Sequence, residues 1–234
     1  MLPLGDEMRS RSTPFVSYAI IAANVLVFLF QMALTPRAES QFILSYGFIP
    51  ARFVDFLSSP SLYVLMTVFS SMFIHADILH ILGNMLYLYI FGDNIEDALG
   101  HIQYLFFYIL CGLAATAAHF VSDPYSTIVA IGASGAISGV LAAYFVMYPY
   151  ARIRTIVALG FFWTISRVPA MFFIGFWFLY QILYVATPAI SGVAYWAHIG
   201  GFVAGFLLIR LFPRRQRPLP PPPPQYYPVP PYSA

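Results

Sequence analysis

The sequence predicts an all-α membrane protein, a bundle of six transmembrane helices with both chain ends on the inner side. Three observations predict it. First, 60% of the 234 residues are hydrophobic and only 9% are charged, where a soluble domain carries about 25% charged residues. Second, apolar runs of about 20 residues, enough to cross a bilayer, recur from end to end. Third, all 11 basic residues are arginine, and they fall unevenly on the two sides of the topology that those runs define. The formal net charge of +2 is too small to mark a nucleic-acid partner.

Spans are expected at 16–34, 71–91, 102–121, 127–147, 168–186 and 193–212. The first follows Arg9 and Arg11, but its apolar core is longer than that of a signal peptide and no small-x-small site follows, so it is expected to stay as a helix. The outer loop 35–70 is too apolar for a free linker and is expected to form short amphipathic helices in the interface. Residues 92–100 read as an acidic turn carrying Asp93, Glu96 and Asp97. The segment "IRTIVALGFFWTI" (153–165) is too short for another span and reads as an interfacial connection. Cys111 lies in an apolar run and reads as packing material.

With the N-terminus inside, the inner segments hold Arg9, Arg11, Arg152, Arg154, Arg167, Arg210, Arg214, Arg215 and Arg217, and the outer ones only Arg37 and Arg52. That bias orients the bundle. The domain plan is then a short cytoplasmic segment (1–14), a membrane domain (15–212) and a Pro-rich tail (213–234). Ten of the 19 prolines lie in that tail, which favours a disordered, extended chain over a docking motif for an SH3-like partner.

Polar groups within lipid are costly and mark function. Three spans that enter from the outer side each carry one: His80, Ser134 and His198. At 1.5 Å per residue their depths agree at roughly 8–10 Å below the outer helix ends. Singly, each has a plainer role. A lone serine bonds its own helix, and His80, with Asn84 one turn on, can bridge helices. Their common depth favours a joint role. The pairs Gly135/Gly139 and Gly201/Gly205 let two helices approach closely, and His198 shares the face of Gly201 and Gly205. That packing brings His198 within reach of the Ser134 hydroxyl, which becomes a nucleophile once a base accepts its proton. The "GASG" stretch near a helix start leaves backbone N–H groups for an oxyanion, and His80 and Asn84 can add donors. No acid is available within the spans, and Asp77 and Asp123 are peripheral, so the pair reads as a dyad.

These features together resemble the rhomboid family of intramembrane serine proteases. The matching pieces are "HADILHILGNMLYLYIFGDNIEDALG" (75–100), "GASGAISG" (132–139) and "AHIGGFVAG" (197–205), in the family's order and on its second, fourth and sixth helices. The resemblance implies that Ser134 is the nucleophile and His198 the general base. It implies that His80 and Asn84 stabilise the oxyanion, with His75 a structural histidine nearby. Gly132, Gly135, Gly201 and Gly205 are expected to be structural residues of the site. By the same likeness Trp177, within "GFWFLYQ" (175–181), lies on the gate side of the fifth helix, and a charge-free loop follows; this helix is expected to admit substrate. The implied substrates are transmembrane segments of other proteins in the lipid bilayer, cut near their outer ends without metal or cofactor. The expected location is a bacterial-type plasma membrane.

Two positions depart from the pattern. Many members carry Trp-Arg in the first outer loop, where Tyr63-Val64 stand here. The aromatic residue that stacks on the histidine in some members is Ser138 here. A transporter is the competing class, but the inner halves of the fourth and sixth spans are nearly all apolar. An inactive relative that retains membrane clients would have no need of both Ser134 and His198.

Overall fold

The structure, a computed structural model, describes residues 1–8, 10–159, 162–186 and 194–213. Most of these are helical. In chain order the helices are α1 (Phe15–Met32), α2 (Pro36–Tyr46), α3 (Pro50–Ser58), α4 (Leu62–Ser70), α5 (Ile78–Leu99), α6 (His101–Ser122), α7 (Ser134–Met147), α8 (Ala170–Ala186) and α9 (Tyr195–Leu208). Strand β1 (Leu2–Asp6) precedes them, and β2 (Arg152–Leu159) and β3 (Phe162–Pro169) stand between α7 and α8.

Among the described residues two helices, α1 and α6, are long and apolar enough to cross a bilayer by length and composition. A third qualifies if the segments Leu62–Phe73 and Ile78–Leu99, bent by 79° at their junction, count as one. The apolar helices α7, α8 and α9 are shorter. The span expected over 127–147 is helical only from Ser134, so 14 residues remain, about 21 Å at 1.5 Å per residue. The preceding chain is extended and tied down: Phe48 and Ala130 pair as an antiparallel bridge, and Gly132 N–H donates to the Ser71 carbonyl at 2.8 Å. The span expected over 71–91 also begins late, at Ile78, after a single 3-10 turn at Ser71–Phe73.

Residues 35–70 form short helices as expected. Thr35 caps α2 by accepting from Ala38 N–H at 3.4 Å, and Pro36 occupies its first turn, where a missing N–H costs nothing. Tyr63, at the family's Trp-Arg position, sits on α4 and donates its hydroxyl to the Ser45 carbonyl, joining α4 to α2.

One reading is corrected, and another gains its form. Residues 92–99 are not a turn but the last two turns of α5, and their acids serve α1. Glu96, fully buried, accepts from the N–H groups of Val16 (2.9 Å) and Ser17 (2.8 Å) and from the Ser17 hydroxyl (2.8 Å). Asp97 accepts from the Ser12 N–H at 3.0 Å and its hydroxyl at 2.6 Å. Helix starts carry orphan donors and a positive dipole end, so acids at the foot of α5 fasten the start of α1. Within 153–165 the connection between α7 and α8 is built of antiparallel strands, β2 and β3. Ile153 and Thr155 are buried between exposed Arg152 and Arg154, the two-residue period of a strand. Strand β1 adds to it antiparallel, with Leu2 opposite Ile156 and Asp6 opposite Ile153, and β2 pairs with β3 from Arg152–Pro169 to Leu159–Phe162.

The core sits where α6, α7 and α9 meet, and glycine sets their spacing. A Cβ on Gly201 would lie 2.0 Å from the Gly135 carbonyl oxygen, and one on Gly205 would lie 2.3 Å from that of Gly139. From the other side, a Cβ on Gly139 would meet the sulfur of buried Cys111 at 2.4 Å. No side chain fits between these backbones.

Candidate active site

The site lies at the starts of α5, α7 and α9. Ser134 is the first residue of α7, so it follows the extended chain directly. Gly132 has φ +116°, a left-handed conformation that favours glycine. It also has no room for a side chain: a Cβ there would stand 2.7 Å from Nε2 of His80 and 3.7 Å from Oγ of Ser134. Residue 132 turns the chain into α7 and leaves open the space that borders both His80 and the serine. The matched depths expected for the three polar residues correspond to three neighbouring helix starts, with Ser134 higher in its helix than the expected span implied.

His198, on the first turn of α9, is placed by the glycine contact between α7 and α9. Its Nε2 lies 2.8 Å from Oγ of Ser134. Its Nδ1 lies 2.8 Å from Oε1 of Gln181 on α8. Two rings flank the imidazole, Trp177 at 6.0 Å and Tyr195 at 6.3 Å between centroids. Ser138 does not take part; its hydroxyl donates to the Ser134 carbonyl at 2.6 Å, one helical turn back. The aromatic wall beside the histidine comes from α8 and α9 instead.

His80 stands at the start of α5, fixed by Asp77. The Asp77 carboxylate caps the helix, accepting from the His80 N–H at 2.8 Å. The Ala76 N–H donates to Nδ1 of His80 at 3.3 Å. A backbone N–H only donates, so Nδ1 is the bare nitrogen and Nε2, the atom facing Gly132, carries the proton. Neutral His80 therefore presents an N–H toward Gly132, two residues before the serine. Asn84 is buried, and its Nδ2 donates to the His80 carbonyl at 3.0 Å; that bond stays within α5. His75 is fully buried with its ring 4.9 Å from that of His80. Gln31 of α1 holds its backbone from both sides, donating to the His75 carbonyl at 2.9 Å and accepting from its N–H at 3.2 Å.

The structure thus brings Ser134 and His198 into contact, sets both His80 and Ser134 against Gly132, and keeps Asn84 and His75 as neighbours of His80. Gly135 and Gly201 form the close contact behind the serine, and Gly205 continues it. Trp177 faces His198 and Phe202, at 6.4 Å, rather than lipid alone. The loop that follows the fifth helix lies outside the described residues. Sequence reasoning passed over Gln181 and Gln31. Each is an amide within an apolar span, and that is the signal that exposes both. Among the described residues no group of three or more His, Cys, Asp or Glu side chains is arranged to hold a metal ion.

Serine bonded to a neutral imidazole beside N–H donors at a helix start is the equipment of acyl transfer. Comparison with known proteins gives the family. The Rhomboid domain family matches residues 63–215, and the chain belongs to the rhomboid family. It is an integral membrane protein. A protein of Acanthamoeba polyphaga mimivirus that carries a rhomboid name is 28% identical over 170 residues, covering 71% of this chain and 83% of the viral one. RHOMBOID-like protein 1 of Arabidopsis thaliana is 25% identical over 218 residues, 83% of this chain and 52% of its own length. Rhomboid protease GluP of Bacillus subtilis is 26% identical over 193 residues, 82% of this chain and 34% of its own. The chain thus spans most of the viral protein, but about half or less of the other two.

Proposed function

We propose that the chain is an intramembrane serine endopeptidase acting through the Ser134–His198 pair. The observation that carries this is the 2.8 Å contact between Ser134 Oγ and His198 Nε2. In the first step Ser134 Oγ attacks the scissile carbonyl carbon and its proton passes to His198 Nε2. The negative charge that develops on the carbonyl oxygen meets His80 Nε2–H and the unpaired N–H groups opening α7, with Asn84 able to add its second N–H. The imidazolium then protonates the leaving amine and the peptide bond breaks, leaving an ester on Ser134. A water deprotonated by His198 attacks the ester, and Ser134 recovers its proton as the acid leaves. None of these steps calls for a metal or cofactor.

Transmembrane segments of other proteins are the proposed substrates. The site lies at one end of α5, α7 and α9, while the β-sheet and the start of α1 lie at the opposite end of α7. That arrangement supports the orientation read from arginine, with the N- and C-termini inside and the site toward the outer face. Arg152 and Arg154 on β2 and Arg167 on β3 then face inward. The same proposal includes a short cytoplasmic segment (1–14), a membrane domain (15–212) with six spans, a tail (213–234) and a bacterial-type plasma membrane as location. A fluorophosphonate probe tests the chemistry directly. It should label the purified protein at Ser134, and absence of labelling in folded protein would count against an activated serine.

A further inference from the structure

We infer that Gln181 is a positioning residue for the reaction, holding His198 in the one tautomer that can act as base. The inference rests on the Ser134–His198 pair proposed above. Gln181 is only 4% exposed. Its Oε1 lies 2.8 Å from His198 Nδ1, and its Nε2 donates to the Trp177 carbonyl one turn back on α8 at 3.2 Å.

The two contacts define each other. An amide beside a catalytic imidazole is ambiguous, because either end can face the ring. Turned one way it accepts from Nδ1–H and leaves Nε2 bare. Turned the other way it donates to Nδ1, which puts the ring proton on Nε2 and disables the base. The Trp177 carbonyl removes the ambiguity, since a carbonyl only accepts and therefore claims the amide nitrogen. The oxygen must face His198, so the proton sits on Nδ1 and Nε2 is free to take the one from Ser134. As that proton arrives, the charged ring keeps its Nδ1–H bond to the amide oxygen. Gln181 thus supplies the orientation that an acid gives in a triad, without the counter-charge, in a region where the spans offer no acid.

Its location adds a consequence. Gln181 and Trp177 both belong to α8, the helix proposed to admit substrate, and the Phe178 ring stacks on Phe202 of α9 at 4.0 Å. A displacement of α8 carries the acceptor away from His198, so orientation of the base and closure of α8 are one arrangement.

Two variants of the full chain test this, Gln181→Met, which keeps the shape and removes the acceptor, and Gln181→Glu, which keeps an acceptor oxygen. Side chains that orient an imidazole through its second nitrogen are worth about tenfold to a hundredfold in activity. Gln181→Met should lower kcat on a transmembrane substrate by that factor and leave KM within about twofold. Labelling of Ser134 by a fluorophosphonate, which is small enough not to depend on substrate entry, should slow in parallel. Gln181→Glu should recover most of both rates. Wild-type kcat and labelling in a folded Gln181→Met protein would overturn the inference. So would a folded Gln181→Glu protein as slow as Gln181→Met. Failure of the dyad itself reads differently: Ser134→Ala would then still cleave, whatever stands at residue 181.

Discussion

At the scale of single residues, the site depends on which nitrogen of each histidine carries a proton. His80 receives the Ala76 N–H on Nδ1 at 3.3 Å, so it is a donor at Nε2, while His198, on the inference that Gln181 Oε1 holds its proton at Nδ1, is an acceptor at the Nε2 that lies 2.8 Å from Ser134 Oγ. Two like residues are set to opposite tasks by their second nitrogens. The account therefore separates His80 from Asn84. His80→Ala should lower kcat by about 10²–10³, the value of one oxyanion donor. Asn84→Ala should cost less, because its amide is engaged with its own helix at 3.0 Å and other donors remain. Cleavage kinetics of the two variants, with thermal stability measured beside them, decide the order; a larger loss for Asn84→Ala would reverse the assignment. The residues of this site were legible in the sequence because a serine and two histidines among apolar spans stand out. Their proton states were not, since these depend on a backbone N–H and an amide brought in from other segments.

Helices and strands explain what sequence periodicity could not. Helix composition located the long apolar elements, yet nothing in "IVAIGASGAISGV" (128–140) marks where helix begins. The bridge between Phe48 and Ala130 and the turn at Gly132 decide that, and both depend on distant chain. The acids at the end of α5 likewise make sense only when α1 is placed against them. At the opposite end from the site, β1 docks through Asp6, which accepts from Asn94 Nδ2 at 3.0 Å and from the Tyr144 hydroxyl. Burial pushes the Asp6 carboxyl up from 3.8 to about 6, with the Tyr144 hydrogen bond opposing and the charge of Asp93 adding to the rise. A carboxyl raised in this way binds its proton more tightly when docked. Its contribution is fully present below about pH 4 and is lost as the pH rises through about 6. Amide exchange protection of β1 should therefore fall across that window, and Asp6→Asn should abolish the dependence; a flat profile in the unaltered chain would contradict it. The α8 helix carries a separate expectation. If it is the gate, Trp177→Ala loosens its packing on His198 and Phe202 and should preserve or raise turnover of a transmembrane substrate. Complete loss of turnover in a folded variant would argue for Trp177 as a wall that the imidazole needs.

For the whole molecule, the design is a rigid glycine-spaced centre of α6, α7 and α9, with less tightly tied elements around it. On the proposed reading the centre fixes nucleophile and base, α5 and the extended chain before α7 supply donors, and α8 closes the side next to His198. Residues 214–234 lie outside the described residues, and their proline-rich composition predicts no apolar face for packing. Truncation after Phe212 should leave the cleavage rate of purified enzyme nearly unchanged, and a large loss would make the tail part of the catalytic unit. The central claim is that Ser134 and His198 act as one device. Its most direct test is the rate of cleavage of a transmembrane substrate by Ser134→Ala, His198→Ala and the double variant, each shown to be folded by thermal melting. Residues acting as a unit are not additive, so each single variant should lose several orders of magnitude and the double variant should be scarcely slower than either. Cleavage by a well-folded Ser134→Ala protein, or losses that simply multiply in the double variant, would contradict the account.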